Sequence, residues 1–502
     1  MRKNTAWMLA FGVGFVSLSI EILWVRLVSF IHLGVPQAFA FVLTVFLSGV
    51  ALGAAIGKRL CFNATYALGA AGFFIFLAGV VDVITPWVVM VSNSGPFSYL
   101  LTVLLILSSA TLKAVIFPIA HYLGSSDVGA QLGRSLSRVY FFNILGATLG
   151  PVFTGFYLLD HVSLQSCFIV LGLFCLMVGL LLWARICLAG IFYFLAGLTV
   201  ILIFFIDLRS SALVGSLSGA GDGVRFVVEN KQGIIHTVVG ESETEGDIVF
   251  GGNVYDGRTS TNLVVNSNRI DRAYLLSSLV DSPKKILVLG LSTGAWARVV
   301  SAIPSVERVD VVEINPGYID LIKKYPSVSP LLMDDRVKIN IDDGRRWLRR
   351  HPSEQYDLIV MNTSFHWRAN STNLLSQEFL VELEKHMLPG AILAFNSTRS
   401  PDVMLTAARV FKNVYRWSNF IYCSDFDFRS PGLDLQRRRL MSLKLDGKAL
   451  LDFGNIQGEQ AFERLVTRQF ETLDQVAAEA GRALEVVTDD NMITEYKYGM
   501  GF

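Results

Sequence analysis

The sequence predicts a multi-pass α-helical membrane bundle followed by an α/β, Rossmann-like domain, and three observations predict it. Charged residues make up only 17% of the 502 residues, whereas apolar ones make up 52%. Long apolar runs fill the chain up to about residue 207, and an ordinary soluble mixture follows. From residue 284 onward short apolar runs alternate with helical patterns, as strands and crossover helices do in a parallel sheet. The domains expected are a transmembrane part over 1–208, a small β-rich part over 222–280 and the Rossmann-like part over 281–502.

A helix needs about 20 mostly apolar residues to cross the hydrocarbon core. Runs of that kind place spans at 6–31, 37–57, 64–90, 98–120, 138–159, 163–184 and 187–206, about seven in all. The first is too long, and too closely followed by others, for a cleaved signal peptide. Arg2, Lys3, Lys58, Arg59, Arg134 and Arg185 mark alternate loops, and the loops at 32–36, 91–97 and 160–162 hold no Lys or Arg. That asymmetry puts the N-terminus in the cytoplasm. An odd count then sets the following domain on the other side, and a count changed by one returns it; the side stays open.

Ionisable groups inside the spans are costly in lipid and should face one another. Glu21, Arg26, Asp82 and Lys113 are such groups. They read equally as a polar path for a charged substrate or as interhelical pairs, with Arg26 snorkelling. Gly49, Gly53, Gly146 and Gly150 read as close helix contacts.

Composition also excludes. A net charge of +1 gives no basic surplus for a nucleic-acid partner. Of the five cysteines, Cys61, Cys167, Cys175 and Cys187 lie in or beside the apolar half and Cys423 in the other. None forms a CxxC or Cys/His pattern, so neither a metal site nor a disulfide framework is expected.

In the second half, Val224–Glu229, Ile234–Val239 and Asp247–Phe250 read as strands, followed by a Gly/Asn/Asp-rich turn region and a helix over Asp271–Leu279. Lys285–Gly290 is a strand buried on both faces, running into Gly290-Leu-Ser-Thr-Gly294 and a helix over Ala295–Ala302. Glycines there let the backbone approach a ligand, and the helix start offers free N–H groups. Val309–Glu313 is the next strand, and a carboxylate at its end suits the two hydroxyls of a ribose. Gly290, Ser292, Gly294 and Glu313 are therefore candidate binding residues. A third strand, Val337–Ile341, leads to Asp342 and Asp343, placed for an adenine amino group, for the cap of a helix over Arg345–Arg350, or for both. The fourth, Tyr356–Met361, ends in Asn362-Thr-Ser-Phe-His-Trp367, where His366 and Trp367 face either a ligand or loop packing. A helix over Gln377–His386, a turn at Leu388-Pro-Gly390, a strand over Ala391–Asn396 and a later helix over Gln457–Arg482 complete the pattern.

Several of these segments together resemble the spermidine synthase family, in the form that places such a domain behind a bacterial membrane bundle. They are Gly14–Glu21 with Trp24 and Arg26, Tyr140–Asn143 with Gly146 and Gly150, Leu289–Gly294, Val312-Glu-Ile314, Asp334-Asp-Arg-Val337, Asp342-Asp-Gly344, Trp367 with Asn373-Leu374, and Thr488-Asp-Asp-Asn491 followed by Glu495. The resemblance covers nearly the whole chain. It implies a methyltransferase/spermidine synthase-type fold, S-adenosylmethionine or its decarboxylated form as co-substrate without a metal, and polyamine biosynthesis in a bacterial inner membrane. It also implies a lipid bilayer and a small amine acceptor as partners, and leaves a homo-oligomer open.

The departures fall on the acceptor side. The family's acid after the fourth strand is Asn362 here, which is no base. Its Tyr-His-Glu run appears as Tyr274-Leu275-Leu276, and the Asp of the glycine turn as Thr293. Asn362, His366 and Asp490, or its neighbour Asp489, are expected to face the acceptor. Three functions stay open: an aminopropyl- or methyltransferase, a transporter or sensor with a non-catalytic binding domain, and a structural partner in a membrane complex.

Overall fold

The computed structural model describes residues 2–93, 95–125, 131–183, 197, 210–362, 365–429 and 431–502. The chain divides into two compact units, one of Met1–His32 and Gln37–Ile234, the other of Leu33–Pro36 and Ile235–Phe502.

In the first unit six helices are long and apolar enough, by length and composition, to cross a membrane: Lys3–Ile31, Gln37–Leu60, Ala64–Ser92, Ser98–Gly124, Gly133–His161 and Leu164–Trp183. They fall where the first six spans are expected. The expected seventh, 187–206, lies outside the described residues apart from Gly197, as do Arg185 and Cys187.

Several helix pairs meet through glycine among the described residues. A Cβ at Gly79 would stand 2.6 Å from the Gly172 carbonyl, and one at Gly49 2.7 Å from that of Leu107. Gly146 and Gly150 face the Phe11 and Phe15 carbonyls in the same way. Removing side chains there brings the backbones into contact, which supplies dispersion where the hydrophobic effect between helices is lost. Pro151 lies inside the fifth helix, and the π-turn Thr154–Leu158 follows it. A missing N–H and a ring that crowds the preceding turn are an established cause of such a break.

Two of the charged groups are paired. Lys113 Nζ lies 2.7 Å from Asp82 Oδ2, and Ser109 Oγ donates to Asp82 Oδ1 at 2.7 Å. All three are buried. Arg26 donates through its guanidinium to the Lys231 carbonyl at 3.0 Å and to that of Asn230, so it caps carbonyl groups near its helix end. Strand β1 (Val224–Asn230) belongs to this unit and is fastened to it by Glu229, which accepts from the Leu164 N–H at 2.7 Å.

Among the described residues the second unit holds a small antiparallel sheet, a larger main sheet and a two-stranded pairing of Lys444–Leu445 with Lys448–Ala449. Strands β2 (Gly233–Val238), β3 (Ile248–Gly251) and β4 (Val254–Arg258) pair antiparallel. β4 occupies what the sequence reads as a turn region: Asn253 and Gly252 make a tight reversal with positive φ, and pairing resumes at once. The main sheet contains β5 (Lys285–Leu289), β6 (Arg308–Glu313), β7 (Val337–Ile341), β8 (Tyr356–Met361), β9 (Met387–Asn396), β10 (Asn413–Trp417) and β11 (Phe420–Ser424). Their order is β10-β11-β9-β8-β5-β6-β7. β5 to β9 run parallel, and β11 lies antiparallel to both of its neighbours, β9 and β10.

The order reverses between β5 and β8. Ligands in open α/β sheets sit at such a switch point, beyond the carboxyl ends of the strands. β9 begins at Met387, so Leu388-Pro-Gly390 is the start of a strand rather than the expected turn; the first residue pairs with Tyr356 before a register shift. The helix expected over Gln457–Arg482 is two helices, Ile456–Thr467 and Leu473–Ala480. Glu471 between them pairs with β10 through an isolated bridge to Arg416, and Thr472 begins the second helix with a capping box.

Candidate functional site

The turn after β5 is shaped by what it cannot accommodate. Gly290 has φ 89°, and a Cβ there would lie 3.1 Å from the Asn362 carbonyl oxygen. Gly294 has φ 77°, with Ile322 and Leu331 side chains 3.0 and 3.1 Å from the place of a Cβ. Positive φ costs an L-residue other than glycine roughly 1–2 kcal/mol, yet Ser292 also adopts it, at 45°. Its hydroxyl donates to the Asp256 carbonyl, a bond that holds the turn open against β4.

Glu313 closes β6 directly beneath this turn. It is 5% exposed. Its Oε2 accepts from the Leu291 N–H at 2.7 Å and its Oε1 from the Asn315 N–H at 2.8 Å. Burial pushes the carboxyl up to about 7, against the pull of those two N–H groups. Each oxygen keeps lone-pair capacity for another donor, so the pair of ribose hydroxyls expected here fits.

Asp342 and Asp343 end β7. Asp343 caps the helix Gly344–Arg350 by accepting from the Arg346 N–H at 2.8 Å. The cap reading of Asp343 is met, and nothing in that bond blocks its second oxygen. Asp342 accepts from the Asp343 N–H at 2.8 Å and is paired with Arg346 and Arg350. Burial raises this carboxyl, and the bond from Arg346 and the neighbouring charges outweigh it, leaving its pKa below the usual value.

A cavity of about 220 Å³ opens beside the glycine turn. Its lining includes Asp256 and Gly257 from β4, Trp296 from the helix after the turn, Asn362 and Phe365 after β8, and Thr398 after β9. Asn362, expected to face an acceptor, lines this cavity. His366 stands behind Thr398, whose hydroxyl is bonded to both the His366 N–H and Nδ1. Burial holds the imidazole pKa below its ordinary value.

Asp489 and Asp490 are not brought to the cavity. Asp489 receives two bonds from Arg345, at 2.8 and 2.7 Å, and one from Ser376 Oγ at 2.6 Å. Asp490 is exposed and is not among the described lining residues. The Asp489 clamp anchors the segment before the helix Gln377–Glu384.

Asp256 is the residue that sequence reasoning missed. Its carboxylate accepts from the Tyr318 hydroxyl, and burial pushes it up to about 6 against that bond and the charge of Arg368. The signal lay in Val254-Tyr-Asp-Gly-Arg258, where an acid sits in a short alternating run. Tyr274, by contrast, is buried in the core with its hydroxyl on the Thr261 carbonyl at 2.9 Å.

Residues 274–419 match the spermine/spermidine synthase domain. Spermine synthase from Arabidopsis thaliana is 30% identical over 195 residues, 35% of this chain and 53% of that protein. Spermidine synthase 2 from Hyoscyamus niger is 26% identical over 237 residues, covering 41% and 74% respectively. The chain spans about half the length of the first curated relatives it matches. The crystal structure of spermidine synthase from Thermotoga maritima aligns with 49% of this chain and 88% of its own, at 16% identity and a TM-score of 0.37. Residues 274–419 are thus similar to the spermine/spermidine synthase domain, and they follow a region of six long apolar helices.

Proposed function

We propose that the chain is a membrane-bound transferase that moves an aminopropyl group from decarboxylated S-adenosylmethionine to an amine. The observation that supports this best is Glu313, a buried carboxylate at the end of β6 that receives the N–H of Leu291 in the glycine turn and that of Asn315 just after the strand. Family relatives named as polyamine aminopropyltransferase and spermidine synthase support the reaction class.

The sulfonium carbon of such a donor is already electrophilic, so the protein's task is to bind, orient and exclude water. Glu313 would hold the ribose, Gly290 and Ser292 would let the backbone approach it, and Asp343 would meet the base. In the step itself the amine lone pair forms the N–C bond. The C–S bond breaks, its electrons neutralise the sulfur, and the thioether leaves while the new ammonium loses a proton. Asn362 can position the amine through its amide but cannot take that proton. Asp256, whose carboxyl is poised near neutrality, is the nearer candidate for a base. Six apolar helices support the membrane placement by length and composition.

A second reading, binding without turnover in a transporter or sensor, is favoured by Asn362 standing where the resemblance implies an acid. Calorimetry on the full chain in detergent separates the two. The transferase reading expects methylthioadenosine to bind, with the binding lost in Glu313→Ala, and the donor to be consumed in the presence of an amine. Binding without consumption under any amine selects the second reading; no binding by folded protein removes both.

A further inference from the structure

The cavity beside the glycine turn has the wrong charge for a diamine. Three guanidinium groups line it, those of Arg269, Arg272 and Arg399, against a single carboxylate, that of Asp256. Asp256 is itself committed to the Tyr318 hydroxyl, and Arg399 is matched by Glu479 at 2.8 Å. The other two cations are less satisfied. Arg272 is 4% exposed; its Nη1 donates to Asp271 Oδ1 at 2.8 Å and to the Arg269 carbonyl at 2.9 Å, and its Nη2 donates to Ser418 Oγ at 2.6 Å. Its Nε is buried and has no hydrogen-bond partner. The Arg269 guanidinium is exposed and makes no hydrogen bond or ion pair among the described residues.

A buried donor without an acceptor costs about 1–3 kcal/mol, and more when it belongs to a charged group. A site that retains one, on a guanidinium whose charge is met by Asp271 but whose Nε is not, next to the unpaired guanidinium of Arg269, is complementary to an anion. Planar forks of N–H donors match carboxylates in particular. A dication entering here would meet like charge instead.

We infer that, granted only that this same site transfers a group from an adenosyl sulfonium to an amine, with the form of the donor left to the test, the substrate seated in the cavity carries a carboxylate, received by Arg269 and the Nε of Arg272. Two sources supply that chemistry. One is the donor, if S-adenosylmethionine is used intact and keeps its amino-acid carboxylate. The other is the acceptor, if it is an ω-amino acid rather than a diamine. Neither requires an acid at Asn362 to balance a second ammonium group.

Calorimetry on the full chain in detergent tests this, with methylthioadenosine, which has no carboxylate, as the internal standard. If the donor carries the group, S-adenosylmethionine binds about ten- to hundredfold more tightly than its decarboxylated form, and Arg269→Gln erases the difference. If the acceptor carries it, the two donors bind alike. With methylthioadenosine saturating, 4-aminobutyrate then binds in preference to putrescine, and Arg269→Gln erases that preference. Arg269 is exposed, so the substitution spares the fold; Arg269→Lys, keeping the charge without the fork, should retain part of either preference. Methylthioadenosine binding with neither preference, or with a preference untouched by Arg269→Gln, overturns the inference and leaves the transferase reading standing. Failure of methylthioadenosine itself to bind takes down that reading, and the inference with it.

Discussion

At the scale of single residues, Glu313 makes the site sensitive to pH. Its carboxyl is raised to about 7 by burial, above the value of 4.5 it has in an unfolded chain. Folding therefore holds a proton there, and the empty site loses stability as pH rises from about 4.5 through 7. The loss amounts to about 3 kcal/mol. Hydroxyls donating to the carboxylate favour its charged form, so binding a nucleoside should release a proton. Titrations of methylthioadenosine at pH 6.5 in buffers of different ionisation heat should show that release, and the same titrations at pH 9 should not. Asn362 gives a second expectation. Asn362→Asp restores an acid at the cavity and should raise turnover of diamines at least severalfold, measured as release of methylthioadenosine; no gain would mean that charge at this position does not limit the reaction. The placement of Glu313, Gly290 and Gly294 was legible because it follows from local order, a strand and then a turn. Asp256, Arg269 and Arg272 were not, because their importance rests on a cavity assembled from segments far apart in sequence. Asp490 illustrates the converse: its neighbour Asp489 is consumed by Arg345 and Ser376, which no reading of spacing reveals.

Among the elements, buried strands were the most readable. β5 and β8 show unbroken apolar runs, Ile286–Leu289 and Leu358–Met361, and β6 shows one interrupted by the buried Asp310. The hairpin of β10 and β11 escaped because it mixes Arg416, Tyr415 and Asn419 into its run, and Arg416 is buried only by virtue of its pairs with Glu471 and Glu479. The close helix contacts at Gly49, Gly53, Gly146 and Gly150 were legible, though not the helices they meet. Gly146→Ile would drive a side chain into the Phe11 carbonyl, and overpacking of this kind costs about 1–3 kcal/mol. A lowered melting temperature of the full chain in detergent is expected, with Gly155→Ile, which meets nothing within 4 Å, as the silent control. The Asp82–Lys113 pair makes a complementary case. Lys113→Met leaves a buried carboxylate with only Ser109 and should destabilise more than the double change Asp82→Asn with Lys113→Met. Thermal melting of the two variants side by side decides it; equal losses would show the pair to be dispensable.

For the whole molecule, the membrane reading predicts that the full chain stays in the pellet when membranes are washed with alkaline carbonate and enters solution only with detergent. Release by the wash would refute it. The division of the chain into an apolar and a mixed half was plain from composition, whereas the closing of the domain by its last segment was not. Glu495 is 1% exposed and accepts the N–H groups of Asn370 and Thr372 at 3.0 and 2.9 Å. The Val487 carbonyl takes that of Gln377 at 2.9 Å, and Thr494 meets Thr372. The loop that follows β8, and with it the floor beside Asn362, is thus moulded by residues synthesised more than a hundred positions later. During translation that loop has no partner for its buried N–H groups until this segment has left the ribosome. A nascent chain that already carries all seven strands of the main sheet therefore still lacks the acceptor that holds the loop beside Asn362, and the candidate site takes its shape only after the sheet is complete.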